Sequence, residues 1–206
     1  MRAADDGHTL LFVSSSHVAI PAVRANLAYD TLRDFAAITL TSIACYVLVV
    51  PATLNVKTPA ERIALAKAWP GQLNYGSGGT GSGAHFTAEI FRHSAGIDAV
   101  HIPYRGIPEA LTDLISGRLQ FFLSPLASAV LLVRDGKLRA PGVTAKKRVA
   151  VYADVPTLAA SGLPDFQWDS WPGLLAPAKT PRAIVDKLNR EIARVMNQYE
   201  IQARLL

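Results

Sequence analysis

Short apolar runs alternate along the chain with segments whose apolar residues recur at three- and four-residue steps, and this alternation restricts the fold most. The strand-like runs are Thr9–Val13, Tyr46–Val50, Leu73–Tyr75, Val100–Pro103 and Leu119–Leu123. The helix-like segments are Thr58–Ala68, Ser82–Ala95, Pro108–Ser116, Pro125–Arg134 and a last helix opened by Thr180 and Pro181. Strands that alternate with helices predict an α/β protein with largely parallel sheets.

Capping residues and apolar stripes define several of these helices. Thr58–Glu61 forms a capping box, and Gly96 is expected to end the helix that begins near Ser82. The predicted inward positions are Phe86, Ile90 and Phe91 in one helix, Leu111, Leu114 and Ile115 in the next, and Ile184, Leu188, Ile192 and Val195 in the last. The stretch from Ala140 to Pro164 is predicted to hold only a short helix near Pro156–Ala160.

Composition excludes several classes of protein. Half of the 206 residues are hydrophobic, which is enough to bury the core of one large domain or two small lobes. The net charge of +5 favours anionic partners, but the densest basic run, Lys146–Arg148, has no interleaved aromatics, so we predict no nucleic-acid binding. Cys45 is predicted to be a small, buried hydrophobic residue. No apolar stretch is long enough for a transmembrane helix, and Met1–Gly7 lacks the apolar core of a signal peptide.

The segment Gly76–Gly83 followed by His85 carries the strongest functional signal. It lies between a strand and a helix, and glycines allow a ligand to approach the backbone closely. The free amides and the dipole at the start of the helix favour an anion there, and Thr80 and Ser82 add hydroxyl donors. The alternative is a flexible turn that only caps the helix.

Two other kinds of site compete for the same residues. Gly76, Gly78 and Gly81 match the dinucleotide-binding pattern, with Asp98 near the spacing of a ribose contact, although a stretch so rich in glycine also matches by chance. The serines of the segment could act as hydrolase nucleophiles, but no base is identifiable from spacing. The histidines do not occur in any metal-binding motif, so no metal site is predicted. His93 and His101 are predicted to be surface residues. No catalytic residue and no cofactor are predicted either.

Ser14, Ser15, Ser16 and His17 follow the first strand. Hydroxyls at the carboxyl end of a parallel strand point into the crevice where α/β proteins bind ligands. The competing interpretation is a polar loop with an exposed histidine.

Six sequence segments together indicate a family. They are Asp6–Leu11, Leu73–Ser82 with His85, His101–Gly106, Ala110–Leu114, Asp154–Thr157 and Gly173–Pro177. In this order they resemble the substrate-binding proteins of tripartite tricarboxylate transporters, also called the Bug family. The resemblance covers nearly the whole chain.

The resemblance implies a two-lobed, type II periplasmic-binding-protein fold that holds a small organic carboxylate in an interlobe cleft. It implies no enzymatic activity, a periplasmic location and delivery of the ligand to the membrane subunits of the transporter. The implied ligand contacts are Ser14, Ser15, Ser16, His17, Gly78, Gly79, Thr80, Gly81, Ser82, His85 and Ser124. Amino-acid binders of the family tend to carry aspartate where this chain has Ser124, so an amino-acid ligand is not expected.

The resemblance also implies that this chain lacks parts of the family sequence at both ends. We therefore expect a second lobe over residues 43–167 and a partial first lobe, with one sheet edge exposed, over 1–42 and 168–206. Such a chain is expected to bind ligand weakly and to self-associate. A nucleotide-dependent enzyme, a hydrolase and a non-functional truncated product are the alternatives.

Overall fold

The chain folds into two compact units. The computed structural model describes residues 3–54, 64, 67–68 and 70–205. The first unit comprises Met1–Ile43 and Ser170–Leu206, and the second comprises Ala44–Asp169. Most of the helix predicted over Thr58–Ala68 lies outside the described residues.

The described elements follow one another in an α/β order. The strands are β1 (Leu11–Val13), β2 (Phe35–Leu40), β3 (Ala44–Pro51), β4 (Asn74–Ser77), β5 (Val100–Pro103), β6 (Phe121–Pro125), β7 (Leu138–Val143), β8 (Asp169–Ser170) and β9 (Gly173–Pro177). The described α-helices are α1 (Ser16–Ala19), α2 (Gly83–Ala95), α3 (Ile107–Ile115), α4 (Leu126–Arg134), α5 (Arg182–Met196) and α6 (Tyr199–Leu205). Short 3-10 helices cover Ile20–Ala22, Ala150–Tyr152 and Ala159–Ser161. No helix in the described part of the chain combines the length and apolarity needed to cross a membrane.

The first unit contains a three-stranded sheet in the order β1-β9-β2, and both pairings are antiparallel. Helix α5 packs on this sheet through Val185, whose side chain is buried against Ile38 and Ala176. The Asn189 side-chain amide donates to the Ile38 carbonyl oxygen at 2.7 Å, which ties the helix to the backbone of β2.

The second unit is built on a sheet whose main path is β5-β4-β6-β3-β7. Two apolar clusters cover opposite faces of this sheet, because successive side chains of a strand point to opposite sides. Leu48 and Val50 of β3 belong to the cluster that includes Phe91 of α2, whereas Val47 and Val49 belong to the cluster that includes α3 and α4. All four of these β3 side chains are fully buried.

The expectation of largely parallel sheets was wrong. Strands β5, β4 and β6 are parallel, but β3 is antiparallel to both β6 and β7, and the sheet of the first unit is antiparallel. The apolar run Tyr46–Val50 resembles a parallel strand because it is covered on both faces. A central antiparallel strand with helices on both sides has the same composition, so the run does not determine its direction.

Four of the described strands were missed by the sequence interpretation: β2, β7, β8 and β9. β7 lies largely within the stretch predicted to be irregular, and it contains Pro141 and Gly142. It is the edge strand of the main sheet path, where proline is tolerated because one side of the strand needs no ladder hydrogen bond.

The sequence predicted the positions of the helices along the chain better than it predicted which of their side chains are buried. Helix α2 ends at Gly96, in a left-handed conformation with φ of 59°, as predicted. Its buried face contains Phe91 together with Ala84, Thr87, Ala88 and Ala95 instead of Phe86 and Ile90, which are only partly buried. Ile115 and Val195 were predicted to point inward and are exposed.

Candidate functional site

The glycine-rich segment lies at the carboxyl edge of the parallel strands in the second unit. β4 ends at Ser77 and α2 begins at Gly83, so the segment connects a buried strand directly to a helix N-terminus. Helices α3 and α4 follow β5 and β6, which run parallel to β4. The N-termini of all three helices therefore lie at the same edge of the sheet.

Only glycine fits at several positions of this segment. Gly79 and Gly81 have φ values of 109° and 83°, a region that other residues rarely adopt. At Gly83 a Cβ atom would collide with the hydroxyl of Tyr46, a β3 side chain that sequence reasoning missed. The glycines thus allow a tight turn and bring the Tyr46 hydroxyl close to the start of α2.

Some backbone amides of the glycine-rich segment donate hydrogen bonds to acceptors in the segment or in α2. The Gly79 N–H donates to Ser77 Oγ at 3.1 Å, and the Gly81 N–H donates to His85 Nδ1 at 3.1 Å. The Ser82 N–H donates to the Gly79 carbonyl oxygen, and Ser82 Oγ accepts from the His85 N–H. No acceptor among the described residues is recorded for the amides of Gly78, Thr80, Gly83 and Ala84.

These open amides favour a negative charge at the mouth of α2. The first turn of α2 contains no acidic residue, and neither does the first turn of α4. In α3, by contrast, the Glu109 carboxylate lies in the first turn and accepts the Arg105 N–H at 3.1 Å. The mouths of α2 and α4 therefore lack the internal anion that α3 already has.

A stack of aromatic rings, from side chains of β4, β5, β6 and α2, lies next to the glycine-rich segment. The His85 and His101 rings lie 4.1 Å apart between centroids, and His101 also stacks on Tyr75, which in turn stacks on Phe121. His101 Nε2 lies 2.7 Å from Ser77 Oγ. The prediction of a surface position for His101 was therefore wrong, whereas His93 is exposed as predicted.

The register of β4 and β5 explains this pairing. Tyr75 lies opposite His101 across the parallel ladder, and Ser77 follows Tyr75 on the same face of β4. Burial, with a smaller effect from His85, lowers the pKa of His101 to about 4. Burial also lowers the pKa of His85, so both rings are neutral near pH 7. The alternation of side chains in two paired strands could have indicated this contact, but only if the pairing itself were known.

A second polar chain extends from the stack along α2. The Tyr75 hydroxyl donates to Glu89 Oε1, and Arg92 pairs with Glu89 Oε2 at 3.0 Å. Burial raises the pKa of Tyr75 well above its usual value. Burial also favours a higher pKa for Glu89, but the hydrogen bonds from Arg92 and Tyr75 outweigh this and leave the pKa below its usual value. Glu89 is thus ionised and satisfied within the unit.

Ser124 is the next-to-last residue of β6, the strand next to β4, and is not in a turn after that strand. Its side chain is fully buried, and its hydroxyl donates to the Pro125 carbonyl oxygen at 3.0 Å. Pro125 lies opposite Tyr46 in the β3–β6 ladder. The second unit therefore brings together the glycine-rich segment, the end of β6 and Tyr46.

The serine segment of the first unit differs from its predicted form. It follows an antiparallel strand, and Ser16 begins the four-residue helix α1. The Ser14 and Ser16 hydroxyls hydrogen-bond each other at 2.8 Å, and Ser15 is buried. His17 is buried too, because its ring stacks on Tyr29 and meets the edge of Phe35, so the interpretation as an exposed histidine was wrong.

The geometry argues against the dinucleotide interpretation. The glycines follow the carboxyl end of β4, whereas Asp98 precedes the amino end of the parallel strand β5. Asp98 therefore lies at the opposite edge of the sheet, where it pairs with Arg92 at 3.8 Å. Within the described ranges, no group of three or more His, Cys, Asp or Glu side chains is arranged to hold a metal ion.

Comparison of this chain with known proteins identifies its family. The family model described as "Tripartite tricarboxylate transporter family receptor" matches residues 1–206. The chain belongs to this family. The UPF0065 protein in the tcbD-tcbE intergenic region of Pseudomonas sp. strain P51 is 34% identical over 196 residues, which are 95% of this chain and 58% of the relative. The chain therefore spans less than two thirds of that relative's length.

Several solved structures match nearly the whole of this chain. MatC (Rpa3494) from Rhodopseudomonas palustris with bound malate is 32% identical, with a TM-score of 0.91 over 98% of this chain and 69% of MatC. R. palustris Rpa4515 with adipate is 29% identical, with a TM-score of 0.92 over 99% and 69% of the two chains. The periplasmic binding protein BugD, at 24% identity and a TM-score of 0.92 over 99% of this chain and 68% of BugD, shares the fold. The predicted α/β periplasmic-binding fold is confirmed by these matches.

Proposed function

We propose that this protein binds a small organic carboxylate in the periplasm and presents it to the membrane subunits of a tripartite tricarboxylate transporter. The observation that carries the proposal is the set of open amides at the mouth of α2, in a chain that belongs to the receptor family. The similar structures with malate and adipate bound support a carboxylate as the ligand class. We further propose that the two units are the lobes of the binding protein.

The binding mechanism rests on backbone donors and the dipole of α2. A carboxylate at this mouth would accept from the amides of Thr80, Gly83 and Ala84, which have no acceptor to displace within the described part of the chain. Gly79 and Gly81 would contribute shape, because their own amides are already bonded to Ser77 and His85. The hydroxyl of exposed Thr80 adds a donor at the rim.

Ser14–His17 remain a second proposed contact, on the family resemblance alone. The hydroxyls of Ser14 and Ser16 already bond each other, so a ligand contact would have to exchange that bond or share its oxygens. Ser124 is proposed to shape the site through the turn into α4, since its buried hydroxyl is bonded to the backbone.

The hydrolase alternative draws on one specific observation, the 2.7 Å contact between Ser77 Oγ and His101 Nε2. A nucleophile hydrogen-bonded to a base has this geometry. Ser77 is fully buried, however, and its oxygen also accepts the Gly79 N–H. These two facts favour a role for the Ser77–His101 pair in holding the segment rather than in attacking a substrate.

An acidic side chain placed at the mouth of α2 tests the proposed site. Thr80→Asp adds a carboxylate beside the open amides, which would compete with and repel an anionic ligand, whereas Thr80→Asn has nearly the same shape without the charge. We expect Thr80→Asp to weaken malate and adipate binding by about tenfold or more, and Thr80→Asn to change it by less than about threefold.

Chemical-shift perturbation of the amides of residues 78–84 is the measurement, because it detects millimolar as well as tighter binding. Equal affinities of the Asp and Asn variants for both acids would refute the site. Turnover of an ester substrate that is lost in Ser77→Ala would instead support the hydrolase.

A further inference from the structure

His85 makes a contact that a residue facing a ligand would not need. Its backbone N–H donates to Ser82 Oγ, and its ring Nδ1 accepts the Gly81 N–H at 3.1 Å. Because Nδ1 accepts, the proton of the neutral ring resides on Nε2. One side chain thus holds the segment from within the first turn of α2.

The His85 contact acts at a tight turn of the backbone. Gly81 is buried, with a φ of 83°, and the next residue is the N-cap of α2. The bond from the Gly81 N–H to His85 fixes the peptide plane between Thr80 and Gly81, and the bond from the Ser82 N–H to the Gly79 carbonyl oxygen joins the peptide planes on either side of it. Those planes set the directions of the Thr80 amide before Gly81 and of the helix mouth after it.

The surroundings of His85 favour the uncharged ring. The β5 strand presents His101, stacked at 4.1 Å, and β4 presents Tyr75 beyond it. On α2 itself Glu89 is the nearby acid, and it is paired with Arg92 and Tyr75. β6, the other strand packed on α2, has no titratable residue among Phe121–Pro125. Burial lowers the pKa of His85. Burial also lowers the pKa of His101, and the nearby His85 has a smaller effect in the same direction.

We propose that His85 is a positioning residue whose neutral ring keeps the glycine-rich segment in its carboxylate-binding shape, and that protonation of the ring releases the segment. This inference rests on the proposed function, because it makes carboxylate affinity depend on the protonation of a residue that does not contact the ligand through Nδ1. The Ser77–His101 pair acts in the same direction by holding the Gly79 amide through Ser77 Oγ.

Protonation would place a hydrogen on Nδ1, so that two donors, the ring and the Gly81 N–H, would face each other. The buried Gly81 amide would lose its acceptor, and the segment would have to rearrange to find another. The new positive charge would attract an anion, but the rim at Thr80 is exposed to water, which screens that attraction. We therefore expect acid to weaken binding.

The ligand-free protein gives the first test. Long-range 1H–15N spectra should show His85 protonated on Nε2 near pH 7, and the Gly81 amide should shift sharply as His85 titrates. His85→Asn keeps an acceptor where Nδ1 lies but does not titrate, so its Gly81 amide should stay unperturbed with pH. His93→Asn is the matched control, since His93 is exposed on the same helix. An Nδ1-protonated ring, or a Gly81 amide that ignores the His85 titration, overturns the proposal.

Binding of malate and adipate gives the second test. Between pH 7 and the acidic pH at which the Gly81 amide shift shows that His85 is protonated, the wild-type protein should lose about tenfold more affinity than His85→Asn. This comparison cancels the protonation of the ligand itself. His85→Ala should bind about tenfold more weakly than wild type at pH 7, while His93→Asn matches wild type. Equal pH profiles of wild type and His85→Asn would overturn the proposal.

The two tests separate the inference from the function on which it rests. If neither acid perturbs any amide, the proposed ligand class fails, and the ligand-free spectra still decide whether His85 holds Gly81. If both acids bind but Gly81 ignores His85, the function stands and the positioning role is rejected.

Discussion

At the scale of single residues, the second unit keeps two neutral imidazoles face to face beneath a backbone turn. Burial and, to a smaller extent, His85 lower the pKa of His101 to about 4. The unfolded chain would protonate this histidine near its ordinary pKa of 6.5. The unfolded state therefore binds a proton before the folded state does, and acid destabilises the fold.

His101 should make stability depend on pH in a defined window. Its contribution is fully present above about pH 6.5 and is lost as the pH falls toward about 4, by about 1–2 kcal/mol once solvent screening is allowed for. His101→Gln keeps a polar atom near Ser77 but does not titrate, so it should lack this part of the loss. Urea unfolding at both ends of the window measures it, with exposed His93→Gln as control. An identical acid loss in wild type and His101→Gln would contradict the assignment.

The form of the glycine-rich segment was better predicted from the sequence than the contacts that hold it. Glycine density, the Ser82 cap and the helix that follows are local features, so Gly76–His85 could be recognised from the residues alone. The contacts of Ser77 with His101 and of Tyr75 with Glu89 join residues on different elements. Such contacts depend on strand register and helix docking, which spacing along the chain does not reveal.

At the scale of elements, β4 is a short strand packed between neighbours that leave no room for a side chain at Gly76. A Cβ atom there would lie 2.6 Å from Leu119 Cδ1 and 3.4 Å from Ala110 Cβ. Both of these neighbours are buried and cannot move into solvent. Packing thus fixes the start of the glycine-rich segment, a few residues before the N-terminus of α2.

Gly76→Ala should destabilise the protein by about 1–3 kcal/mol, because the extra methyl group overpacks the space between β4 and α3. Gly106→Ser is the control, since Gly106 is the N-cap of α3, has an extended backbone and has only an ordinary contact at 3.6 Å. Serine is a favourable N-cap, so the control should change stability by less than about 0.5 kcal/mol. Chemical denaturation measures both variants, and a neutral Gly76→Ala would show that Leu119 moves freely.

Element prediction succeeded where local signals were strong and failed where the environment decided. α2 was recognised to within a residue from its caps. β7 was missed because its Pro141 and Gly142 are poor strand formers that an edge position tolerates. The inward face of α3 was misjudged at Ile115, since Ala110, Leu111 and Leu114 already fill the contact with the sheet.

At the scale of the whole molecule, exposed apolar surface is concentrated in the first unit. The exposed large side chains there include Phe12, Val18, Val23, Leu32, Leu40 and Ile43. Phe12 lies on β1, an edge strand of the described sheet. Exposed apolar residues on a strand edge favour association between copies.

Phe12→Lys should reduce self-association, because a lysine on an edge strand disfavours pairing with another edge. Leu131→Lys on α4 is a matched control, since both side chains are 63% exposed and Leu131 lies in the second unit. Sedimentation velocity over a concentration series measures the change, and we expect a several-fold weaker association for Phe12→Lys alone. A monodisperse wild-type monomer, or equal effects of the two lysines, would contradict the expectation.

The strand order of the first unit bears on the order in which the two units can fold. β9, the central strand of the first unit's sheet, follows the second unit in sequence, whereas its two neighbours, β1 and β2, precede the second unit. The pairing of β9 with β1 and β2 must therefore close a loop that contains the whole second unit. The second unit is one continuous stretch, so it can fold first, while the first unit closes last.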